Sequence, residues 1–387
     1  MRKPAETGRE DHLLRLEPRG LHSTAWAIAS PLLAIVLTVV TTGIIFLVLG
    51  RAPGQALYTF LISPLTTPTG LPELLVKAAP LVMIGVGIAL AVRANVWNIG
   101  AEGQYTVGAI LGGWLGLTFP NWPPVVLFPA MMVLGVIGGM AWAAIVAALR
   151  TRFNANEILT SLMLTYVAQL LLIYLVSVPL RDPQGYGFPQ SAMFSDAASD
   201  PILFAGTRVH LGVALALVVA VLGWLFLGRT LPGFAVRVQG EAPRAARFAG
   251  FSENRLVWLV LLISGGLAGL AGLFEVAGPV GQLTPHISPG YGFTAIIVAF
   301  LGRLNPLGVV LAGLLLALSY LGGDAAQIDL KLPNAVTGIF QGVLLFFLLG
   351  CDTLILYRIR FGRRRVAEAG RATPVTGGGA VSREAGE

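Results

Sequence analysis

Charged residues, cysteine and histidine are all scarce in this sequence. Only 12% of its 387 residues are charged and 55% are hydrophobic, whereas about 25% of residues are charged in soluble domains. The single cysteine, Cys351, cannot form an intrachain disulfide. The four histidines are scattered and follow no Cys/His ligand spacing, so we expect no metal site in the protein.

Lysine is scarce too, and the positions of the three lysines exclude one way of using ATP. A phosphate-binding loop ends in Gly-Lys followed by Ser or Thr. Lys3, Lys77 and Lys331 are the only lysines, and none of them stands in that context. No nucleophile–base arrangement is visible either, so we assign no catalytic residue and do not expect an enzyme.

Long apolar runs are what the sequence has in abundance. Runs near the ~20 residues that a helix needs to cross a bilayer follow one another along the chain. We therefore predict an all-α integral membrane protein with about ten transmembrane helices. The predicted spans are 25–49, 73–92, 103–119, 124–149, 157–179, 209–228, 256–275, 290–302, 306–322 and 333–350.

The distribution of basic residues predicts the orientation. Of the 26 Lys and Arg residues, 21 fall on one side of this arrangement. The side richer in Lys and Arg is the cytoplasmic one, so we expect an even number of spans and cytoplasmic termini. The excess of basic residues is thus explained by the orientation of the chain in the membrane, and no nucleic-acid partner is needed to account for it. The five on the other side are Arg51, Lys77, Arg181, Arg208 and Lys331.

The span pattern also predicts the domain organisation. Residues 1–24 form a cytoplasmic segment, 25–350 the transmembrane domain, and 351–387 a basic and then disordered cytoplasmic tail. A division into five plus five spans would make the two halves inverted relative to each other, as in many transporters.

The energy source must then be an ion gradient or a separate motor protein. Ion-coupled carriers usually keep ionisable residues in mid-membrane, and the predicted helix interiors contain almost none. A separate motor needs a docking element, and the cytoplasmic loop 229–255 offers a short helix. Pro243 suits the first turn of this helix, and Glu241 lies near the positive end of the helix dipole. Gly250 can end the helix.

One face of this helix carries Ala245, Phe248 and Ala249, a knob of small residues around one aromatic. The alternative is an ordinary solvated amphipathic helix. The residues assigned to coupling are Gly240, Glu241, Pro243, Arg244, Ala245, Arg247, Phe248 and Gly250.

Four segments in order resemble one family. They are ANVWNIGAEGQ, NEILTSLMLTYVA, GEAPRAARFAGF and LTPHISPGYGFTAIIVAFLGR. Together they resemble the permease subunits of ABC importers for simple sugars and nucleosides, in the branched-chain amino acid/ribose-type permease superfamily. The similarity covers about Leu74 to about Gly350, and NIGAEGQ is most similar to the nucleoside-like branch.

The resemblance implies the rest of a transport system. We expect a second homologous permease, a cytoplasmic ABC ATPase that carries ATP and Mg, and an extracytoplasmic solute-binding lipoprotein. It also implies a multi-pass location in the bacterial inner membrane. In that picture GEAPRAARFAGF is the coupling helix that contacts the ATPase.

The polar stretch ANVWNIGAEGQY allows three interpretations. Asn98 and Glu102 satisfy the free amides of a helix start, or the segment is non-helical backbone that lines a solute path, or it contacts the partner permease. The residues assigned to the path here are Asn98, Gly100, Glu102 and Gln104.

A second polar stripe lies in the fifth span. Glu157, Ser161, Thr165 and Gln169 recur every four residues and share one helix face. They would line a solute path, or else form hydrogen bonds between helices. Alternating access driven by a partner ATPase is the function we expect. An ion-coupled carrier, with Glu275 as its nearest intramembrane carboxylate, and a non-transporting scaffold protein are the alternatives.

Overall fold

The computed structural model describes residues 14–18, 24–333 and 335–361, and it is almost entirely helical there. The helices of the first half are α1 (Thr24–Val48), α2 (Pro53–Leu61), α3 (Ser63–Thr66), α4 (Gly70–Arg93), α5 (Ala101–Thr118), α6 (Pro124–Phe153) and α7 (Glu157–Ser177).

The second half follows a mostly non-helical segment, residues 178–210, that contains a short 3-10 turn at Asp196–Ala198. Its helices are α8 (Leu211–Arg229), α9 (Leu231–Glu241), α10 (Pro243–Phe248), α11 (Glu253–Glu275), α12 (Tyr291–Leu301), α13 (Pro306–Leu330) and α14 (Ala335–Leu356). A π-helical turn, Val276–Val280, extends α11.

Seven helices in the described residues are long and apolar enough to cross a membrane. Those segments are Ala29–Val48, Gly70–Arg93, Pro124–Phe153, Glu157–Ser177, Leu211–Arg229, Glu253–Val280 and Pro306–Leu330. The other three predicted spans fall on α5, α12 and α14. Glu102 and Gln104 lower the hydropathy of α5, and the 11 residues of α12 reach only about 17 Å. The count of ten spans therefore stays a prediction.

Two helices form the centre of the bundle. In the most apolar part of each helix, 83% of the residues of α4 and 72% of those of α11 are buried. The corresponding share is 22% for α7 and 33% for α6 and α8. The outer helices turn apolar side chains such as Leu170 and Leu222 outward, as lipid-facing helices do. The short helix α5 packs among α6, α7 and α11 inside this ring.

Helices of the two halves pack in corresponding ways, while the inverted arrangement of the halves stays a prediction. In the first half α5 and α6 pack on α11, and in the second half α12 and α13 pack on α4. The pairs α6–α7 and α13–α14 also correspond. The first helix of each half breaks the pattern, because α8 packs on α4 and α13 whereas α1 packs on α14 and α2.

The two ends of the described chain pair with each other. Strand β1 (Leu14–Pro18) and strand β2 (Tyr357–Phe361) form an antiparallel ladder, with Leu14 opposite Phe361. The N-terminal segment and the beginning of the tail thus contain strands that the sequence did not reveal. The predicted disorder of the tail lies, from residue 362 onward, outside the described residues.

Close backbone contacts hold the central helices together. A Cβ atom built on Gly108 of α5 would lie 2.2 Å from the Cα atom of Gly269 in α11. On Gly139 of α6 it would lie 2.0 Å from the carbonyl oxygen of Gly265. Only glycine permits these approaches, as is common where helices pack within lipid.

Gly108→Ala is expected to lower the free energy of unfolding by about 1–3 kcal/mol, because the backbone must move to accept the methyl group. Gly342→Ala in α14 is the matched control, since its Cβ atom would meet nothing within 4 Å. Thermal unfolding of both variants in detergent tests this, and equal melting temperatures would contradict it.

Candidate functional site

The stretch ANVWNIGAEGQY begins where α4 ends. The amide of Asn95 donates to Val92 and that of Val96 to Ala91, and Asn95 takes a left-handed conformation with φ 58°. This turn stops the helix, and residues 94–100 then run without helical structure to the start of α5.

Two of the amides in this stretch bind each other. Nδ2 of Asn98 donates to Oε1 of Gln104 at 2.8 Å, and Nε2 of Gln104 donates to Oδ1 of Asn98 at 3.0 Å. Nδ2 of Asn98 also donates to the hydroxyl of Ser264 in α11. All three side chains are buried, so Asn98 and Gln104 fix the non-helical segment to the bundle core.

Glu102 caps a helix, but not the helix to which it belongs. Its Oε2 accepts a hydrogen bond of 2.6 Å from the amide of Gly292, the second residue of α12, and the side chain is buried. A Cβ atom on Gly292 would lie 2.3 Å from the amide nitrogen of Glu102. The N-termini of α5 and α12 therefore abut, and both helix dipoles favour an anion at this point.

Further bonds hold the start of α12 in place. The hydroxyl of Ser288 accepts from the amides of Gly290 and Tyr291, at 3.0 Å each. The hydroxyl of Tyr105 in α5 donates to the carbonyl of Ile287. The segment before α12 thus enters the bundle much as residues 94–100 do before α5, and the two segments meet at Glu102.

The α7 stripe divides into two environments. Ser161 and Thr165 are buried against the backbone of α5, where Cβ atoms on Gly100 and Gly103 would lie 2.8 Å from them. Their hydroxyls bond within α7, to Ile158 and Ser161. These two positions, with Gly100, therefore form a helix–helix contact. Among the described residues the two hydroxyls form no hydrogen bond to another helix, so that alternative does not hold for Ser161 and Thr165.

The two ends of the stripe reach different cavities. Glu157 pairs with Arg150 at 2.5 Å beside a polar cleft of about 580 Å³ between the α6–α7 turn and the start of α11. Gln169 lines a separate cavity of about 120 Å³ that Glu102 also lines.

This smaller cavity, the Glu102 cavity, is the candidate solute-contact site. Thr106 of α5 also lines it, as do His286 and Ser288 of the segment before α12. These groups supply hydroxyl, amide, imidazole and carboxylate hydrogen-bonding atoms beside apolar side chains. Thr106, His286 and Ser288 are lining residues that the sequence patterns did not indicate. Thr106 lies one helical turn after Glu102, which was the available signal for that residue.

The coupling segment differs from the predicted single helix. It breaks at Ala242, so that Gly240 and Glu241 end α9 and Pro243 begins α10. Glu241 is the last residue of α9 and directly precedes Ala242, the N-cap of α10, so its role at the positive dipole end of α10 stays a prediction. Gly250 ends the segment in a left-handed conformation with φ 83°, as predicted.

The exposed side of α10 carries the aromatic residue of the predicted knob. Phe248 is 94% exposed, whereas Ala246 is fully buried beneath it. Arg244, Ala245 and Ala249 are exposed as well. Arg247 pairs with Glu253 at the start of α11.

Gly240 joins this segment to the core of the bundle. A Cβ atom there would lie 2.0 Å from the carbonyl oxygen of Arg93 at the end of α4. Gly240 is therefore a packing residue at the point where residues 94–100 begin, and it is not part of the exposed surface of α10.

Comparison with known proteins decides the family. The model of the family described as "Branched-chain amino acid transport system / permease component" matches residues 70–349. The chain belongs to this family. This confirms the resemblance inferred from the four segments, and with it a multi-pass membrane permease whose system hydrolyses ATP on another subunit.

Three relatives carry more specific names. The "Glucose ABC transporter permease protein TsgB13" of Haloferax volcanii is 37% identical over 91% of this chain and 95% of its own. The "Guanosine ABC transporter permease protein NupP" of Bacillus subtilis is 30% identical over 88% and 97%. The "Nucleoside ABC transporter permease protein NupB" of Lactococcus lactis is 26% identical over 82% and 89%.

Glu102→Ala is expected to destabilise this permease by about 1–3 kcal/mol, because the buried amide of Gly292 loses its acceptor. Glu102→Gln keeps an acceptor oxygen and should cost clearly less. Denaturant unfolding of both variants in detergent checks this, and stability unchanged in Glu102→Ala would contradict the capping role.

Proposed function

We propose that this permease moves nucleosides or related simple sugars across the cytoplasmic membrane in an ATP-driven importer, by alternating access. The family membership and the sugar and nucleoside names of the three relatives support the substrate class. The Glu102 cavity carries the proposal, since hydroxyl-rich solutes need hydrogen-bonding side chains of this kind.

The partners follow from the same proposal. A second permease completes the path, a cytoplasmic ABC ATPase binds ATP and Mg, and an extracytoplasmic lipoprotein delivers the solute. The inner membrane of a bacterium is the proposed location, with ten spans and both termini in the cytoplasm. The basic residues at the helix ends near Arg93, Arg150 and Arg229 support that orientation.

The coupling route begins at α10. Phe248 projects fully into solvent and suits a groove on the ATPase, while Ala246 is packed inward. Movement of α10 passes to α9, with which it is in contact. From α9 it passes through Gly240 to the carbonyl of Arg93.

From Arg93 the movement would reach the Glu102 cavity along the chain itself. Residues 94–100 lead directly from Arg93 to α5, and Glu102 links the start of α5 to the start of α12. A displacement of the turn after α4 would therefore change the Glu102 cavity, whose lining comes from α5, α7 and the segment before α12.

Phe248→Ala is expected to weaken the association with the ATPase by about 2 kcal/mol or more, as loss of an aromatic anchor does, and to abolish uptake. The thermal stability of the permease should stay unchanged, because Phe248 is 94% exposed. Phe346→Ala is the control, since Phe346 of α14 is 72% exposed on an apolar outer helix. Co-purification with the ATPase measures the effect, and equal recovery with both variants would contradict the coupling role.

Reconstitution into proteoliposomes tests the transport mode. The chain together with its partner permease, ATPase and binding protein should accumulate radiolabelled guanosine or glucose only when ATP is supplied. Accumulation by this chain alone under an ion gradient would favour a secondary carrier. Absence of any uptake by an assembled and ATP-hydrolysing complex would favour a scaffold role.

A further inference from the structure

Another cavity lies at the C-terminal end of α4, away from the Glu102 cavity and from the exposed side of α10. It has a volume of about 150 Å³ and lies where α4 and α8 end and α13 begins. Both of its charged lining residues are arginines, and no acidic residue lines it. The residues that bear on its chemistry are Arg93, Trp224, Gly228, Arg237, Asn305 and Pro306.

The two guanidinium groups differ in what already binds them. Nε of Arg93 donates to the carbonyl of Leu304 at 3.2 Å, which fixes this side chain at the cavity. Nε of Arg237, in contrast, is buried and has no hydrogen-bond partner among the described residues. A buried cationic N–H group without an acceptor is costly, so the half-buried guanidinium of Arg237 favours a bound anion.

A helix end adds to the positive potential of the cavity. Pro306 is the first residue of α13, a helix of 25 residues, and Asn305 caps it by accepting from the amide of Leu307. The positive end of the helix dipole therefore faces the same space. Two arginines and a helix N-terminus suit an anion with several acceptor oxygens, such as a phosphate group.

The surroundings show where such a phosphate would come from. Trp224 is 41% exposed, and Leu222 and Leu225 of the same helix are also exposed, so this face of α8 contacts lipid. The cavity is reached within the last turns of α8, at the depth of the headgroups, where tryptophan is enriched. A lipid headgroup can therefore enter this cavity from the membrane side.

An apolar groove adjoins the cavity. It has a volume of about 440 Å³ and runs between α1 and α13, with Leu32, Ile35, Leu311 and Leu315 among its lining residues. Asn305 lines both spaces. The pairing of a basic cavity with an apolar groove matches the two ends of one phospholipid.

We propose that the arginine cavity binds the phosphate of an anionic phospholipid whose acyl chain lies in the adjoining groove. Both the cavity and the groove are independent of the transported solute. The inference rests on the membrane location of the chain and not on the proposed substrate class, so either can fail without the other.

Native mass spectrometry of the delipidated full-length chain tests the site. Phosphatidylglycerol should bind more tightly than phosphatidylcholine. Arg237→Gln should weaken the phosphatidylglycerol binding about tenfold or more, as loss of a charged hydrogen-bond donor does. Arg229→Gln removes the same charge from an exposed position at the end of α8 and outside the cavity, and should leave binding unchanged.

A steric variant keeps the test decisive if Arg237→Gln fails to fold. A Cβ atom on Gly228 would meet nothing within 4 Å, so Gly228→Leu should fold and occupy the cavity, with the same loss of lipid binding. Equal binding of the two lipids, or equal weakening by Arg237→Gln and Arg229→Gln, would overturn the proposal. If inorganic phosphate or glycerol phosphate bound as tightly as the lipid, and this binding depended on Arg237, the proposal that the phosphate belongs to a lipid would be overturned.

Discussion

A backbone amide that enters the apolar interior of a membrane bundle must find an acceptor there. The hydrogen bond from Gly292 to Glu102 meets this requirement where the starts of two helices abut. The helices α5 and α12 both start inside the bundle, after non-helical segments. Their N-termini abut there, which concentrates unpaired amides in one place. One carboxylate and the hydroxyl of Ser288 satisfy those at the start of α12.

This junction places the starts of α5 and α12 beside the proposed solute path. They hold corresponding places in the two halves, each packed on the central helix of the other half. Because the segments before them are not helical, their side chains and the neighbouring face of α7 leave a polar cavity. The same non-helical segment after Arg93 lies against α9, so the coupling surface proposed on α10 would be connected to the cavity through α9.

Much of the architecture could be predicted from local patterns. Apolar length and periodicity located every long helix, and Pro243 and Gly250 marked the limits of α10. The partner of Glu102 could not be predicted in this way. Gly292 is 190 residues distant in sequence, and nothing near Glu102 indicates which helix start its carboxylate will approach.

The same limit explains the other differences. Ser161 and Thr165 share a helix face with Gln169, but the glycines of α5 decide which of them is covered. The pairing of residues 14–18 with 357–361 joins opposite ends of the chain. Each feature is set by tertiary contacts, whereas periodicity reports only which residues share a face.

The most direct measurement is the accessibility of Gln169 during the transport cycle. Gln169→Cys, made in a background in which Cys351 is replaced by Ser, can be labelled with a membrane-impermeant maleimide in the assembled transporter. The account predicts that the labelling rate differs severalfold between the nucleotide-free and ATP-bound states. Leu170→Cys on the exposed face of α7 should show no such difference. Equal labelling of Gln169→Cys in both states would contradict the claim that this cavity lies on the solute path.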